Sequence, residues 1–392
     1  MNIKMKKQII AKIRYVKGIV FGASAIPNDM DAFRKALLEI DDSKLSEIER
    51  SWKSYKLADI FIDFFYHSKF IKKWIYSLMF PGAYLWISCK KKVKFKEKRD
   101  VVYYCISSNK GIMPTKYRKI SNIQVVSMGE GMMLDKEAKD IIKESFKISR
   151  GKLYFLMEEL LALANYSYIC NKYNPKEIVT TYESSCVNSV LTLYCHKKNV
   201  THINFMHGEK LFSPLNVLGY FDTMYVWDEH YLSLFKKLKY RVNTYVIENP
   251  WEGIELPRPL QTVDYTFFLN YENEKSLEKI VDIAKKLMNK GYSIRIRLHP
   301  SQLQEERLRN LVPEDMFDND IKSIMQSISN TRIAISRYST VLYQAFLNGK
   351  VVVIDDITNN EEFKRLQQLD YIMLKKNHKL LSKILEEEGI TY

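Results

Sequence analysis

Two segments of this 392-residue chain place phosphate-binding side chains directly after strand-like apolar runs. The first is Arg295-Ile-Arg-Leu-His-Pro300, in which Pro300 ends the run and leaves His299 projecting, with Arg297 two residues earlier. Imidazole and guanidinium groups suit the negative charge that develops on a leaving phosphate. The alternative is a histidine whose ring bonds to nearby backbone.

The second segment contains Tyr338, Ser339 and Thr340, and it lies one strand–helix repeat further along the chain. A strand is predicted to end at Ile335 and a helix to begin at Ser339. Hydroxyl groups and free backbone N–H groups at a helix start form an anion site. An ordinary Ser/Thr N-cap is the alternative, but the order after the His-Pro segment favours phosphate binding.

Two strands that come earlier in the chain are also followed by residues that can accept or donate protons. His207 and Glu209 follow the strand predicted at His202–Met206, and they offer a base or a phosphate partner. Glu183 and Ser184 follow the strand predicted at 177–181, and we expect them, together with Glu209, to contact an acceptor. Asp228, after a later strand, is a helix N-cap or a site residue.

The elements that must position these residues alternate between strand and helix. Strands are predicted at 101–106, 123–127, 177–181, 202–206, 223–227, 265–269, 293–298, 332–335 and 351–354, and helices at 152–173, 188–198, 274–289 and 339–348. Such alternation indicates parallel, doubly wound sheets. A Pro-rich stretch at 249–259 predicts a linker. The predicted fold is therefore α/β, with Rossmann-like domains at 100–250 and 262–392 and a mainly helical, basic extension at 1–99.

The positive charge of the chain is concentrated in that extension. Residues 1–100 hold 22 Lys and Arg against 11 Asp and Glu, whereas the remaining 292 residues hold 39 against 35. This distribution disfavours nucleic-acid binding by the main fold. A basic amphipathic helix is predicted near residues 3–17, and an aromatic segment, 74–89, broken at Pro81-Gly82, is flanked by lysines. We expect contact with an anionic membrane surface; two buried helices are the alternative.

The cysteines indicate the compartment. Five scattered cysteines without zinc-type spacing favour reduced thiols and a cytoplasmic chain. We see neither a signal peptide nor a run long enough to span a bilayer. The sequence therefore predicts a cytoplasmic protein, peripheral on the inner face of the plasma membrane.

Together these segments resemble bacterial glycosyltransferases of the two-domain GT-B type. In the sialyltransferases and polysialyltransferases of capsule and lipopolysaccharide synthesis, a His-Pro motif and a downstream Ser pair hold CMP, which corresponds to His299-Pro300 and Ser339-Thr340. Their acidic-acidic-Gly motif is matched in part by Gly129-Glu130-Gly131, so the resemblance implies Glu130 as the candidate base. Retaining Kdo transferases, also CMP-dependent, are a more distant resemblance.

The chain is also similar to CDP-polyol phosphate transferases. These pair a His-Gly segment with Arg-x-His-Pro and a later Tyr-Ser-Ser, close to His207-Gly208, Arg297–Pro300 and Tyr338–Thr340. An Asp usual before that Tyr is replaced by Arg337, which counts against polyol phosphate.

The resemblances imply a metal-independent transferase without a cofactor. It would move a sugar, with sialic acid from CMP-sialic acid as the first choice, from a nucleotide-sugar to an oligosaccharide or lipid-linked glycan. Glu130 or His207 would be the base, and His299 would assist the leaving nucleotide. A GT-B epimerase and a non-catalytic binding protein of capsule assembly are the alternatives from other classes.

Overall fold

The computed structural model describes residues 23–64, 66–90, 93, 97–105, 113–120, 122–127, 129–252, 254–270, 272–300, 302–303, 305–318, 320–321 and 323–392. The chain forms two compact units, one ending at Pro250 and the other beginning at Trp251. This boundary falls within the Pro-rich stretch. The amphipathic helix predicted near residues 3–17 lies outside the described residues.

The first unit is built on a parallel sheet. Its strands are β1 (Ala23–Pro27), β2 (Ile62–Phe64), β3 (Val101–Cys105), β4 (Ile123–Ser127), β5 (Glu177–Thr180), β6 (Thr201–Phe205), β7 (Tyr220–Val226) and β8 (Arg241–Ile247). Its helices are α1 (Met30–Leu38), α2 (Glu47–Phe61), α3 (Tyr66–Ser88), α4 (Thr115–Arg118), α5 (Lys136–Ile148), α6 (Leu153–Tyr173), α7 (Asn188–Lys197) and α8 (Glu229–Lys237). The parallel sheet has the order β4-β3-β5-β6-β7-β8, and β1 pairs with β2 in antiparallel orientation.

Strand β3 shows why this sheet is buried on both faces. All five of its residues, Val-Val-Tyr-Tyr-Cys, are buried. Val102 and Tyr104 join the core cluster that contains residues of α5, α6 and α7. Tyr103 and Cys105 belong to a second cluster, which includes Phe205 of β6. Because successive side chains of a strand alternate between faces, a strand covered on both sides needs an unbroken apolar run.

The helices α2 and α3, from the segment predicted as an extension, pack against the helices of this sheet. On α2, the Trp52 ring lies 5.1 Å from that of Phe155. The helix α3 runs through Pro81 without ending, so the prediction of a break at Pro81-Gly82 is wrong. Pro81 removes one helical hydrogen bond, but Phe80 and Ile87, on either side of it, are both buried in the α6 cluster and hold the helix together.

The second unit has the same kind of sheet. Its strands are β9 (Val263–Phe268), β10 (Ile294–Arg297), β11 (Thr331–Ser336), β12 (Val351–Ile354) and β13 (Lys379–Leu380). Its helices are α9 (Glu274–Asn289), α10 (Glu306–Arg309), α11 (Ile324–Asn330), α12 (Thr340–Leu347), α13 (Asn360–Gln368) and α14 (Leu381–Glu387). The strands are parallel and have the order β10-β9-β11-β12-β13.

The predicted fold class is confirmed, because each unit is a Rossmann-like parallel α/β sheet, as in chains of the GT-B type. Each predicted strand overlaps an observed one. The edge strand β8 was not predicted. Its sequence, Arg-Val-Asn-Thr-Tyr-Val-Ile, mixes polar and apolar residues because most of them are exposed or half-buried at the sheet edge.

Candidate functional site

The strand order fixes where the first unit can bind a ligand. From β3 the sheet grows to β4 on one side and then to β5 on the other, so its direction reverses between β3 and β5. Open parallel sheets bind ligands outside the carboxyl ends of their strands at such a point. Glu183 follows β5, and His207 to Lys210 follow the neighbouring strand β6. Both segments therefore lie at this edge.

Glu183 is the centre of a buried charged cluster at this edge. Its side chain has no exposed surface, and its Oε1 lies 3.0 Å from Nδ1 of His207 and 2.9 Å from Nζ of Lys210. Nδ2 of Asn204 donates a 3.3 Å hydrogen bond to Oε2. Burial alone would raise the pKa of this carboxyl, but Lys210 and His207 outweigh burial and hold the pKa of Glu183 far below its usual range. Glu183 is thus ionised.

The ring of His207 connects this buried cluster to the surface. Its side chain is 34% exposed, although the carboxylate that faces Nδ1 is not exposed at all. Nδ1 of His207 and Oε1 of Glu183 lie within ion-pair distance but do not meet hydrogen-bond geometry. The carboxylate therefore acts on the ring through its charge, which favours a proton on Nδ1 and a lone pair on Nε2. A partly exposed imidazole oriented in this way can accept a proton from a bound hydroxyl.

The two acidic residues predicted to contact an acceptor, Glu183 and Glu209, are both buried. Glu183 faces His207 and Lys210 and is inaccessible. Glu209 is also buried, and it accepts a 2.7 Å hydrogen bond from the hydroxyl of Tyr231. Burial raises the pKa of Glu209 to about 8. Both carboxyl groups therefore lie inside this loop with little or no exposed surface.

Ser184 and Asp228 have local roles in the same unit. Ser184 is exposed, and its hydroxyl donates a 2.6 Å hydrogen bond to Oδ1 of Asn216. Asp228 accepts a 2.8 Å hydrogen bond from the backbone N–H of His230 and caps α8, the first of its two predicted roles.

Glu130 and Glu183 have different partners. Glu130 follows β4, and its Oε1 lies 3.2 Å from both Nζ of Lys172 and the hydroxyl of Tyr173, at the end of α6. The glycines on either side serve the backbone: Gly129 has φ +84°, and a Cβ on Gly131 would lie 2.3 Å from the Tyr168 ring. The backbone conformation at Gly129 and the close packing at Gly131 therefore explain why glycines flank Glu130.

In the second unit the sheet reverses direction between β9 and β11. The predicted donor residues His299 and Pro300 follow β10, and Tyr338, Ser339 and Thr340 follow β11, so both segments open onto the carboxyl edge that holds this reversal point. His299 and Pro300 are exposed. Neighbouring protein atoms displace water from part of the His299 ring, and this desolvation lowers its pKa. The imidazole is therefore neutral at physiological pH.

The segment after β11 starts helix α12 as predicted. Oγ of Ser339 accepts a 3.2 Å hydrogen bond from the N–H of Val341 and caps the helix. The Tyr338 ring packs edge-on against Tyr371 at 5.2 Å, and the Tyr371 hydroxyl accepts a 3.4 Å hydrogen bond from the N–H of Ser339. Tyr338, Ser339 and Thr340 are all half-buried.

Arg297, predicted to bind the donor, contacts a loop of the second unit through Nη1. Its Nη1 lies 3.0 Å from Oδ2 of Asp318 and 2.8 Å from both the Ile321 carbonyl oxygen and Oγ of Ser327. Asp318 is buried. Nη1 of Arg297 therefore makes structural contacts within the second unit. The sequence does not indicate these contacts, because Asp318, Ile321 and Ser327 lie 21 to 30 residues further along the chain.

The sequence did not single out a buried ion-pair cluster at the reversal point of the second unit. Nη2 of Arg337 lies 2.7 Å from Oε2 of Glu272, which follows β9, and 2.9 Å from Oε2 of Glu362, on α13. Arg337 and Glu272 are almost fully buried. Nε and Nη1 of Arg337 have no hydrogen-bond partner among the described residues. The only indication in the sequence was that Glu272 lies four residues after the end of β9.

No family model and no curated protein matches this chain. Among solved structures, it is similar to the wall teichoic acid polymerase TagF, with 13% identity, 81% of this chain and 88% of that chain covered, and a TM-score of 0.45. A UDP-N-acetylglucosamine 2-epimerase from Rickettsia bellii has 11% identity, 66% and 79% coverage and a TM-score of 0.39. A glycosyltransferase from Rickettsia africae has 12% identity, 66% and 80% coverage and a TM-score of 0.33. Likeness at this level carries no argument about activity, which depends on this chain's own residues.

Proposed function

We propose that this chain is a transferase that moves a group from a cytidine nucleotide to a hydroxyl of a glycan acceptor, with His207 as the general base. The observation that supports the proposal most strongly is the 3.0 Å approach of the buried Glu183 carboxylate to Nδ1 of the partly exposed His207. A carboxylate that orients a histidine is the usual arrangement for activating a hydroxyl.

The reaction balances with one proton transfer. The acceptor oxygen attacks the electrophilic atom of the donor, and its proton passes to Nε2 of His207. The bond from that electrophilic atom to the nucleotide oxygen breaks, and CMP leaves with the bonding electrons. The electrophile is the β-phosphorus of a CDP-polyol or the anomeric carbon of a CMP-sugar, and CMP is the product in both cases.

In the proposal, the second unit binds the donor. His299 and Pro300 after β10, and Tyr338, Ser339 and Thr340 at the start of α12, lie on loops of one sheet edge. The N-terminal end of α12 carries partial positive charge, which favours the nucleotide phosphate. A neutral His299 can donate one hydrogen bond to the leaving phosphate oxygen. We propose no metal and no cofactor for this chemistry.

The identity of the base favours polyol-phosphate transfer over sialyl transfer. The resemblance to sialyltransferases assigns the base to an acidic residue at the position of Glu130, and Glu130 pairs with Lys172 and Tyr173. A CMP-linked acidic sugar, sialic acid or Kdo, is the second candidate. It is favoured by Arg337, which stands where polyol-phosphate transferases usually have an Asp.

The proposed acceptor is an oligosaccharide or a lipid-linked glycan of the bacterial surface, extended on the cytoplasmic side of the membrane. A non-catalytic binding protein of polymer assembly is the alternative from another class. It would have no need for a carboxylate-oriented, partly exposed histidine, which is the feature that supports an enzyme.

The nucleotide specificity tests the proposal. We would measure thermal stabilisation of the full chain by CMP, CDP, UDP and GDP, and repeat the panel with His299→Ala and with His378→Ala as a matched control in the same unit. A ligand at one hundred times its dissociation constant adds about 2.7 kcal/mol. The proposal predicts a response to CMP or CDP that His299→Ala removes and His378→Ala keeps. A response to UDP or GDP alone, or to none in folded protein, would contradict it.

A further inference from the structure

Helix α3 (Tyr66–Ser88) exposes large apolar side chains along one side. Trp74, Leu78, Met79, Leu85 and Trp86 are between 53% and 63% exposed. At 100° per residue their positions fall within one side of the helix, and we call these five residues the α3 apolar face. Soluble proteins rarely leave such a contiguous face uncovered unless it binds something.

Two buried residues on the opposite side of α3, together with two lysines near its beginning, fix the helix to the body of the first unit. Phe80 and Ile87 are buried in the core cluster with residues of α6. Nζ of Lys72 lies 2.7 Å from Oε1 of Glu158, and Nζ of Lys73 lies 2.7 Å from Oδ2 of Asp59. The α3 apolar face therefore points outward from a helix that is held in place.

The distribution of aromatic and basic residues matches the interface of a lipid bilayer. Trp74 and Trp86 lie near the two ends of the face, about 18 Å apart at 1.5 Å per residue. The ammonium group of Lys90 lies 3.8 Å from the centre of the Trp86 ring. In sequence, Lys91, Lys92, Lys94 and Lys96 follow. Tryptophan rings prefer the headgroup depth, and lysines attract anionic lipid.

We infer that the α3 apolar face lies flat on an anionic bilayer surface, with its tryptophan and leucine side chains among the headgroups. In the described part of the chain, no helix combines the length and apolarity needed to cross a membrane. An in-plane helix needs only one apolar side and basic flanks. This contact needs no catalytic residue, so it stands or falls independently of the proposed transferase activity.

Charge argues against two other occupants of this face. A second copy of the chain would bring two lysine-rich flanks together, and like charges at an interface repel. The chain's own residues 1–22 carry six Lys and Arg and no Asp or Glu, so they would meet the same repulsion beside Lys90. An anionic surface is the partner that complements both the apolar face and its flank.

Vesicle flotation tests the inference with the full chain. The vesicles are phosphatidylcholine, alone or with roughly a third phosphatidylglycerol. The test variant is Trp74→Gln/Leu78→Gln/Leu85→Gln/Trp86→Gln, and the matched control is Leu38→Gln/Leu260→Gln, since these two leucines are 78% and 79% exposed elsewhere. The wild type and the control should float with anionic vesicles, and the test variant should lose at least about tenfold in binding.

Tryptophan fluorescence shows whether this particular face makes the contact. The other tryptophans, at 52, 227 and 251, are half-buried or buried. Anionic vesicles should shift the wild-type emission to shorter wavelength, and Trp74→Phe/Trp86→Phe should bind while losing that shift. The inference would be overturned if the folded wild type did not float, or if the four-residue test variant floated as well as the wild type. It would also be overturned if the wild type formed a dimer that the test variant lost while keeping its vesicle binding.

Discussion

The carboxylate of Glu183, which has no exposed surface, lies 3.0 Å from Nδ1 of His207, whose side chain is 34% exposed. The pair therefore spans the boundary between the protein interior and the edge of the sheet. Lys210, 2.9 Å from the same carboxylate oxygen, balances its charge. This arrangement holds an imidazole ring at a surface without exposing the charge that orients it.

The charge balance around Glu183 predicts non-additive effects on stability. Glu183→Gln leaves the buried Lys210 ammonium group uncompensated, so we expect a loss of about 3–5 kcal/mol. Glu183→Gln/Lys210→Met removes both charges and should be more stable than Glu183→Gln alone. Urea denaturation, followed through the unfolding transition of the first unit, measures the difference in free energy of unfolding between the two variants. Equal or greater loss in the double variant would show that the two charges do not compensate each other.

Glu209 predicts a dependence of stability on pH. Burial raises its pKa to about 8 in the folded chain, whereas the unfolded carboxyl ionises near its ordinary pKa of about 4.3. The folded state thus holds an extra proton between these values, and the free energy of unfolding decreases as the pH rises toward about 8, by at most about 1.4 kcal/mol per pH unit.

The variant Glu209→Gln retains the hydrogen bond from Tyr231 but cannot ionise. Its melting temperature should fall less steeply than that of the wild type between about pH 5 and pH 8. Glu159, whose pKa burial also raises to about 8, contributes equally to both proteins and cancels in the comparison. Parallel curves would mean that Glu209 does not carry this proton.

Arg297 is predicted to stabilise the second unit rather than to bind the donor. Arg297→Gln leaves Asp318, which is 3% exposed, without its counter-charge, and we expect about 3–5 kcal/mol of destabilisation. The added stabilisation by CMP or CDP should remain. A variant with unchanged melting temperature that no longer responds to these nucleotides would reverse the assignment.

Local sequence determined most of the fold. Val101–Cys105 and Val351–Ile354 are short apolar runs of the kind typical of buried parallel strands, and both segments were predicted as strands. The edge strand β8 was missed because exposure on its faces removes the apolar pattern that identifies a strand. The helix through Pro81 was mispredicted because tertiary contacts of Phe80 and Ile87 outweigh a local preference.

The site was predictable only in part. The positions of His207 and His299 after strands follow from chain order, because parallel strands share one carboxyl edge. The orientation of Glu183 does not follow, since nothing local indicates that Lys210 turns inward to meet it. The Arg337–Glu272 pair joins residues 65 positions apart, and such a contact is set by the strand order of the sheet.

The most direct test of the central claim is the release of CMP from CDP-glycerol and from CMP-sialic acid, with water in place of the acceptor. The account predicts release from at least one donor by the wild type, slowed at least about 100-fold by His207→Gln. His196→Gln is the matched control, since His196 is 41% exposed and its Nε2 lies 2.8 Å from Asp222; it should release CMP at the wild-type rate. Undiminished release by folded His207→Gln, or none from either donor by the wild type, would contradict the account.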